Sequence, residues 1–366
     1  MDPLTHTLLG AVAGHAVANR RLPRSAWVIG LLAGGAPDLD VLISPASDPL
    51  GGLIWHRHFT HALPFVPIGA AAIAGLAALV PAWRRHFGAT ALAALAGMAT
   101  HGLCDALTSY GTLLAWPFSD RRVQWDVLPI IDPMVTVPLL VALAVAVAVG
   151  WRGGGQRSTR SPSVAVAGLL VISAYAIFAS RQGAVARDIA RTLAEERGHE
   201  PLRLRAMPQP ASVFLWRTIY DFEDEYGARR MQADLVRVPY FAPERATVRV
   251  GTTAPIIVPK EVASEGLDEA MLAAIVRYNW FTDDWMTPSP DDPRVLNDGR
   301  YAPLPESFRT LWGLVLPDAE EALRGGRAGF RFDRDLRRST ADALLAALRG
   351  DDPLLRPVGE VTRGLR

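Results

Sequence analysis

The chain has 366 residues, half of them hydrophobic, with a formal net charge of +1 and a mean hydropathy of +0.15. That balance leans towards a membrane protein and away from a nucleic-acid binder, which needs a clustered basic face. One cysteine, Cys104, excludes an internal disulfide framework and a cysteine-rich zinc site.

The first apolar segment covers residues 1–18 and opens with Asp2-Pro3-Leu4-Thr5-His6. Thr5 is expected to cap its helix, because a hydroxyl accepts a free N-terminal N–H. No basic stretch precedes the apolar run, so it does not read as a signal peptide. A second short segment, 25–36, ends at Pro37-Asp38-Leu39-Asp40. Residues 41–55 are rich in Pro, Gly and Ser and read as a loop. His56-Arg57-His58-Phe59-Thr60-His61 follows. Residues 62–83 are apolar and long enough to cross a bilayer, which takes about 20 residues.

The segment 88–104 runs into His101 and Asp105. Positions i and i+4 of a helix share one face. Thr108-Ser109-Tyr110-Gly111 and a Pro- and aromatic-containing connection through Ile131-Asp132-Pro133 come next. Residues 134–151 and 163–180 carry no charge and suit hydrocarbon. A glycine-rich polar turn, 152–161, separates them. From Arg181 the character changes. Residues 181–200 read as a linking helix. Strands are expected at 213–220, 231–238, 247–258 and 307–316, and helices at 267–278 and 340–348.

Seven of the eight histidines lie at or before position 101. If the apolar segments alternate up and down, His6, Asp38, Asp40, His56, His61, His101 and Asp105 all fall at one membrane face. Arg20, Arg21, Arg24, Arg84, Arg85, Arg152, Arg157 and Arg160 fall at the other. Arg-rich short loops stay cytoplasmic, so the His/Asp face is expected to be extracytoplasmic, with the C-terminal domain on the same side. Imidazole and carboxylate ligands suit zinc first, with iron or manganese as alternatives. Seven donors exceed one tetrahedral site, which leaves one ion with supporting groups or two ions. Such a centre at a membrane face suits a phosphoester or a lipid-linked ester. His15, His86 and Cys104 read as packing residues, and His56, His58 and His61 could also form a polar turn at the interface.

The same residues resemble the YdjM-like family, described as membrane-bound metal-dependent hydrolases. The carrying motifs are Asp2-Pro3-Leu4-Thr5-His6, Pro37-Asp38-Leu39-Asp40, His56-Arg57-x-x-Thr60-His61, His101-x-x-x-Asp105, Thr108-Ser109-Tyr110-Gly111, Pro117-Phe118-Ser119 and Ile131-Asp132-Pro133. Leu215-Trp216-Arg217 resembles the family's later part more loosely. The resemblance implies a multi-pass protein of the inner membrane with hydrolase activity, and it supplies no substrate. His58 falls at a variable position of its motif and is left out of the ligand set.

The expected architecture is mainly α. An integral membrane bundle of about four to six helices spans 1–180, a linking helix covers 181–200, and a soluble α+β domain covers 201–366. The expected metal shell is His6, Asp38, Asp40, His56, His61, His101 and Asp105. Asp40 could serve as general base, and Arg57 and Arg121 could hold an anionic group, with Thr60 and Thr108 behind the ligands. The expected partners are the lipid bilayer and a small or lipid-linked substrate, not nucleic acid. The alternatives are a non-enzymatic protein with a structural or sensing metal, and a small transporter.

Overall fold

The computed structural model describes residues 1–22, 25–43, 48–152, 160–262, 268–302, 304, 307–318, 327–332 and 338–365. Arg24, Arg157 and the glycine-rich turn around 153–155 lie outside them. The chain divides into two compact units, Met1–Ser44 with Ile54–Ser180, and Pro45–Leu53 with Arg181–Arg366.

The first unit is helical. Helices α1 (Pro3–Ala18) and α2 (Ala26–Gly35) are followed by a 3-10 turn, Ala36–Leu42. Short helix α3 (Gly51–Ile54), whose residues 51–53 belong to the second unit, precedes two 3-10 turns and helix α4 (Val66–Ala77). One turn of helix, α5 (Pro81–Arg84), leads into α6 (Phe87–Ala106). Helix α7 (Pro133–Arg152) and the 37-residue α8 (Arg160–Glu196), of which residues 181–196 belong to the second unit, complete the set. Among the described residues, three helices are long and apolar enough to cross a membrane: Phe87–Ala106, Pro133–Trp151 and Arg160–Glu196. A fourth crossing exists if the bent pair Gly51–His61 and Leu63–Ala77 forms one span.

Three local expectations change. Asp2, not Thr5, caps α1: its carboxylate accepts the Thr5 N–H at 3.0 Å, while the Thr5 hydroxyl donates to the same carboxylate at 2.6 Å. Pro3 at the first helical position moves the start three residues earlier than a Thr5 cap would put it. The 62–83 segment is not one helix, because Pro67 sits in the first turn of α4 and Pro81 starts a separate turn. The expected linking helix is the unbroken continuation of α8 to Glu196.

Glycines decide how α1, α2 and α6 meet. Gly10 and Gly14 face Gly30 and Gly34, a pair of small-xxx-small spacings that lets backbones touch. A Cβ on Gly10 would stand 2.5 Å from the Gly30 carbonyl oxygen, and one on Gly97 of α6 would meet the same oxygen at 2.5 Å. Gly30 is therefore where three helices cross. His6, Gly34 and His101 lie on this crossing, so it also fixes the site described below. Gly30→Leu is expected to cost more than the roughly 1–3 kcal/mol of ordinary overpacking, because the obstruction is backbone. Loss of the monodisperse, detergent-solubilised species would show it; an unchanged thermal midpoint would count against the crossing.

The second unit is α+β. Strands β1 (Arg203–Pro208), β2 (Leu215–Glu223) and β3 (Arg229–Arg237) form an antiparallel meander. The β2–β3 register runs from Leu215 opposite Arg237 to Glu223 opposite Arg229, so the strands expected at 213–220 and 231–238 pair with each other. The expected strand at 247–258 is split. β4 (Thr247–Arg249) and β5 (Thr253–Pro255) both pair with β3, and between them the Gly251 N–H turns aside to the Asp234 carboxylate at 2.9 Å. After α9 (Pro259–Val262) and α10 (Glu269–Phe281), strands β6 (Met286–Pro288), β7 (Val295–Asp298), β8 (Trp312–Val315) and β9 (Gly329–Phe332) make a second antiparallel sheet. Helix Arg338–Arg349 and strand β10 (Arg356–Pro357), paired with β4, precede the last helix, Val358–Leu365. Met207, Ile219, Met231, Trp285 and Phe308 are buried together in its core.

Candidate metal centre

Helix α1 brings His6, the 3-10 turn after α2 brings Asp38 and Asp40, the turn before α4 brings His61, and α6 brings His101 and Asp105. Four donor atoms converge. His61 Nε2 and His101 Nε2 are 2.9 Å apart. Asp38 Oδ1 lies 3.6 Å from His61 Nε2 and 3.4 Å from His101 Nε2. Asp105 Oδ2 lies 3.3 and 3.8 Å from the same two atoms. Donors held tetrahedrally at about 2.0–2.1 Å from one ion stand about 3.3 Å from each other. The five distances scatter around that value.

The tautomers follow from the outer partners. His101 Nδ1 is 2.6 Å from the Gly34 carbonyl, which can only accept, so Nδ1 carries the proton and Nε2 the lone pair. The Thr60 hydroxyl donates to Asp40 Oδ2 at 2.9 Å, so at 3.0 Å from His61 Nδ1 it can only accept. His61 then also presents a lone pair at Nε2. Two lone pairs 2.9 Å apart, flanked by two carboxylates, repel unless positive charge lies among them. A shared proton relieves one pair, whereas a divalent cation relieves all four donors. Asp38 Oδ2, Asp105 Oδ2 and His6 Nδ1 are buried with no hydrogen-bond partner, a costly state for polar atoms that nothing compensates.

Burial alone would raise the Asp38 carboxyl; hydrogen bonds from His101 and His61 would hold it well below the usual carboxylate range, and with both Nε2 atoms presenting lone pairs that role passes to positive charge among the donors. Asp40 behaves alike, burial being overcome by His56 and His61. Both are carboxylates at any physiological pH.

The remaining expected residues occupy distinct places. His6 Nε2 bonds Asp105 Oδ1 at 3.0 Å, and its ring stacks on His101 at 3.7 Å between centroids. Asp40 bonds His56 Nδ1 at 2.8 Å, the Arg57 backbone N–H at 3.0 Å and Thr60 at 2.9 Å. Held by these three hydrogen bonds, with His61 Nδ1 also 3.3 Å from its Oδ2, it is placed to orient His56 and His61. Arg57 has a positive φ of 64°, a strained conformation for a long side chain. That backbone lets its N–H reach Asp40 while its guanidinium meets Asp105 at 3.3 Å and Thr108 at 3.2 Å. Met1's amino group also contacts Asp105. His6, His61, His101 and Asp105 are all but closed to solvent, whereas Asp38 is 19 % and His56 24 % exposed. Water reaches the group from their side.

Arg121 is exposed and stands outside the group; its backbone N–H takes Ser119 Oγ at 3.2 Å. Arg122 is the buried neighbour, 5.0 Å from the Tyr110 ring, with Arg57 at 4.5 Å from the same ring. The sequence offers Arg122, with Arg121 and Asp132, as an anion-binding residue or as a partner of the others, and gives Tyr110 no role of its own. Val123 pairs with Thr112 across an isolated β-bridge, so the segment is extended and adjacent residues face opposite ways. His58 packs among Trp55, Phe59 and Trp116. His86 is exposed, and buried His15 bonds Ser161 Oγ at 2.7 Å. Cys104 is buried.

Residues 1–184, which supply every one of these side chains, match the family described as YdjM inner membrane protein. The chain belongs to the YdjM inner membrane protein family. This agrees with the resemblance carried by its short motifs. The YdjM portion and the apolar helices make it a membrane protein of the inner membrane. The chain is also similar to "Uncharacterized protein YfhP" of Bacillus subtilis (strain 168), 27 % identical over 179 residues, 47 % of this chain and 51 % of that protein. It thus spans about half the length of the curated relative it matches. No solved structure matches it. The YdjM match ends at residue 184, so the sheets of the second unit lie outside it.

Proposed function

We propose that this YdjM protein is a metal-dependent hydrolase whose single divalent ion, zinc by preference, is held by Asp38, His61, His101 and Asp105. The observation that carries the reading is the 2.9 Å approach of two Nε2 lone pairs between two carboxylates. Both candidate groupings, His6-Asp38-His101 and His61-His101-Asp105, share His101. An imidazole bridges two ions only through both nitrogens, and His101 Nδ1 is committed to Gly34. One centre therefore fits better than two. The ion would supply activation of water and polarisation of the ester bond.

The chain's own groups do the rest. His56, its Nδ1 held by Asp40 and its ring partly exposed, is the proton acceptor at Nε2. Asp40 fixes that tautomer. Arg57 and Arg122, on the ring of Tyr110, supply positive charge for an anionic substrate group, which favours a phosphoester over a neutral ester. The arginine loops facing the other way support an extracytoplasmic site.

The near-complete burial of three donors also fits a closed structural ion. Metal analysis and turnover separate the readings. His101→Ala and Asp38→Ala are expected to lose the ion from the detergent-solubilised protein; retention in both would sink the centre. His56→Gln is expected to keep the ion while cutting phosphodiester or phosphomonoester turnover by about 10²–10⁴-fold. An ion present without turnover on any ester probe would favour the structural reading.

A further inference from the structure

The second unit carries two exposed aromatic tips at opposite ends of its first sheet. Tyr226 tops the β2–β3 hairpin at 85 % exposure, and Phe241, just after β3, is 92 % exposed. Tyr240 beside it is 42 % exposed and packs against Phe214, with centroids 4.8 Å apart. Burying an aromatic side chain is among the larger favourable terms available to a fold, so full exposure at 241 needs a reason.

Helix α8 provides a ruler. Its apolar stretch ends at Arg181, and Val166, Leu170, Val171 and Ile177 stand outward along it. At 1.5 Å per residue the helix is about 55 Å long, against a hydrocarbon core of about 30 Å. The excess, from Arg181 to Glu196, projects beyond the bilayer. The sheet lies along that projection in a fixed direction. Trp216, at the start of β2, packs on Gly183, and the Gln182 amide donates to the Val238 carbonyl at 3.4 Å. Tyr220 and Phe222, further along β2, pack with Ala194. The Leu215–Arg237 end of the hairpin is therefore beside the point where α8 leaves the membrane, and the Tyr226 tip is at the far end. After Phe241 the chain climbs again, because Pro243, Glu244 and Arg245 line a groove with Ile189. Tyr240 and Phe241 sit at the bottom of the turn.

We propose that Tyr240 and Phe241 insert into the lipid headgroup region around α8 and anchor the sheet on the bilayer. Amphipathic aromatic rings partition to that depth, and a Pro-flanked turn, Pro239-Tyr-Phe-Ala-Pro243, presents them without edge-strand hydrogen bonds to satisfy. The occupant is lipid because the turn follows Val238, whose carbonyl takes the amide of Gln182, the residue after the end of the apolar stretch of α8.

The test places a thiol-reactive, environment-sensitive fluorophore at Phe241→Cys and, as the equally exposed reference, at Tyr226→Cys. Each is the full-length protein in phosphatidylethanolamine/phosphatidylglycerol nanodiscs, with or without a doxyl group on the acyl chain. Cys104 is buried, and the unsubstituted chain gives the labelling background. Blue-shifted emission at 241, quenched by doxyl lipid, with aqueous emission at 226, is the expected result. Aqueous emission at both positions overturns the proposal. So does a blue shift at 241 that doxyl lipid leaves unquenched, since protein would then cover the turn. Tyr240→Cys repeats the measurement should the 241 variant fail to fold.

Discussion

Asp105→Ala is expected, if the proposed metal centre is right, to lose its ion; in any case it is expected to destabilise the helical unit by about 3–5 kcal/mol, the usual cost of removing one partner from a buried ion pair. The carboxylate is fully buried. Oδ1 takes His6 Nε2 at 3.0 Å and Arg57 at 3.3 Å, together with the Met1 amino group, while Oδ2 faces His61 Nε2 at 3.3 Å. Truncation leaves the Arg57 guanidinium with Thr108 and the Tyr110 ring, and takes away one of the four proposed ligands. Asp105→Asn separates the two effects. It keeps the volume and one acceptor for Arg57 but turns an NH₂ towards a lone pair or a cation. That variant is expected to hold more of the thermal midpoint than alanine and still to lose the ion. Elemental analysis beside a detergent thermal melt reads both quantities. Full metal content in the asparagine variant would remove Asp105 from the ligand set and leave it a partner of Arg57.

Much of this centre is legible before any coordinates, and for a definite reason. His101 and Asp105 are one helical turn apart, so their spacing alone puts them on one face, and Nε2 and Oδ2 stand 3.8 Å apart. His6, Asp38 and His61 join them because apolar helices packed side by side in alternating directions return their polar ends to one end of the bundle. What spacing cannot supply is the side of each residue in a non-periodic segment. Arg121 and Arg122 are sequence neighbours, and only the β-bridge from Val123 to Thr112 decides which turns towards Tyr110. Likewise sequence does not tell Asp40 from Asp38; only the structure gives Asp40 the partners His56, Arg57 and Thr60. The Gly10/Gly14 and Gly30/Gly34 spacings are visible in the sequence, yet their meaning depends on which helices meet. In the second unit the nine-residue strands β2 and β3 have enough alternation to be read. β6 has three residues and β7 to β9 have four each, too few for a period of two to show.

The second large effect belongs to the sheet unit. Arg300 and Asp298 form a fork-to-fork pair, with Nε to Oδ1 and Nη2 to Oδ2 both at 2.8 Å, and neither side chain meets solvent. Arg300 also gives an N–H to the Phe281 carbonyl at 2.8 Å, which ties the end of α10 to β7. Burial by itself would lower the guanidinium; the Asp298 carboxylate overrides it and keeps it charged. Arg300→Met fills similar space but strands a buried carboxylate, so a loss of about 3–5 kcal/mol is expected. Adding Asp298→Leu removes the stranded charge, and a buried pair replaced wholly by apolar groups is often neutral. The double variant should therefore recover much of the loss, with a residual deficit from the unpaired Phe281 carbonyl. Hydrogen exchange over β6 to β9 is the direct readout, and metal content at Asp38, His61, His101 and Asp105 is the internal control. A single variant as protected as the parent would show that the pair does not hold the sheet. A double variant as weak as the single would place the loss in the Phe281 contact, because the stranded charge would no longer explain it.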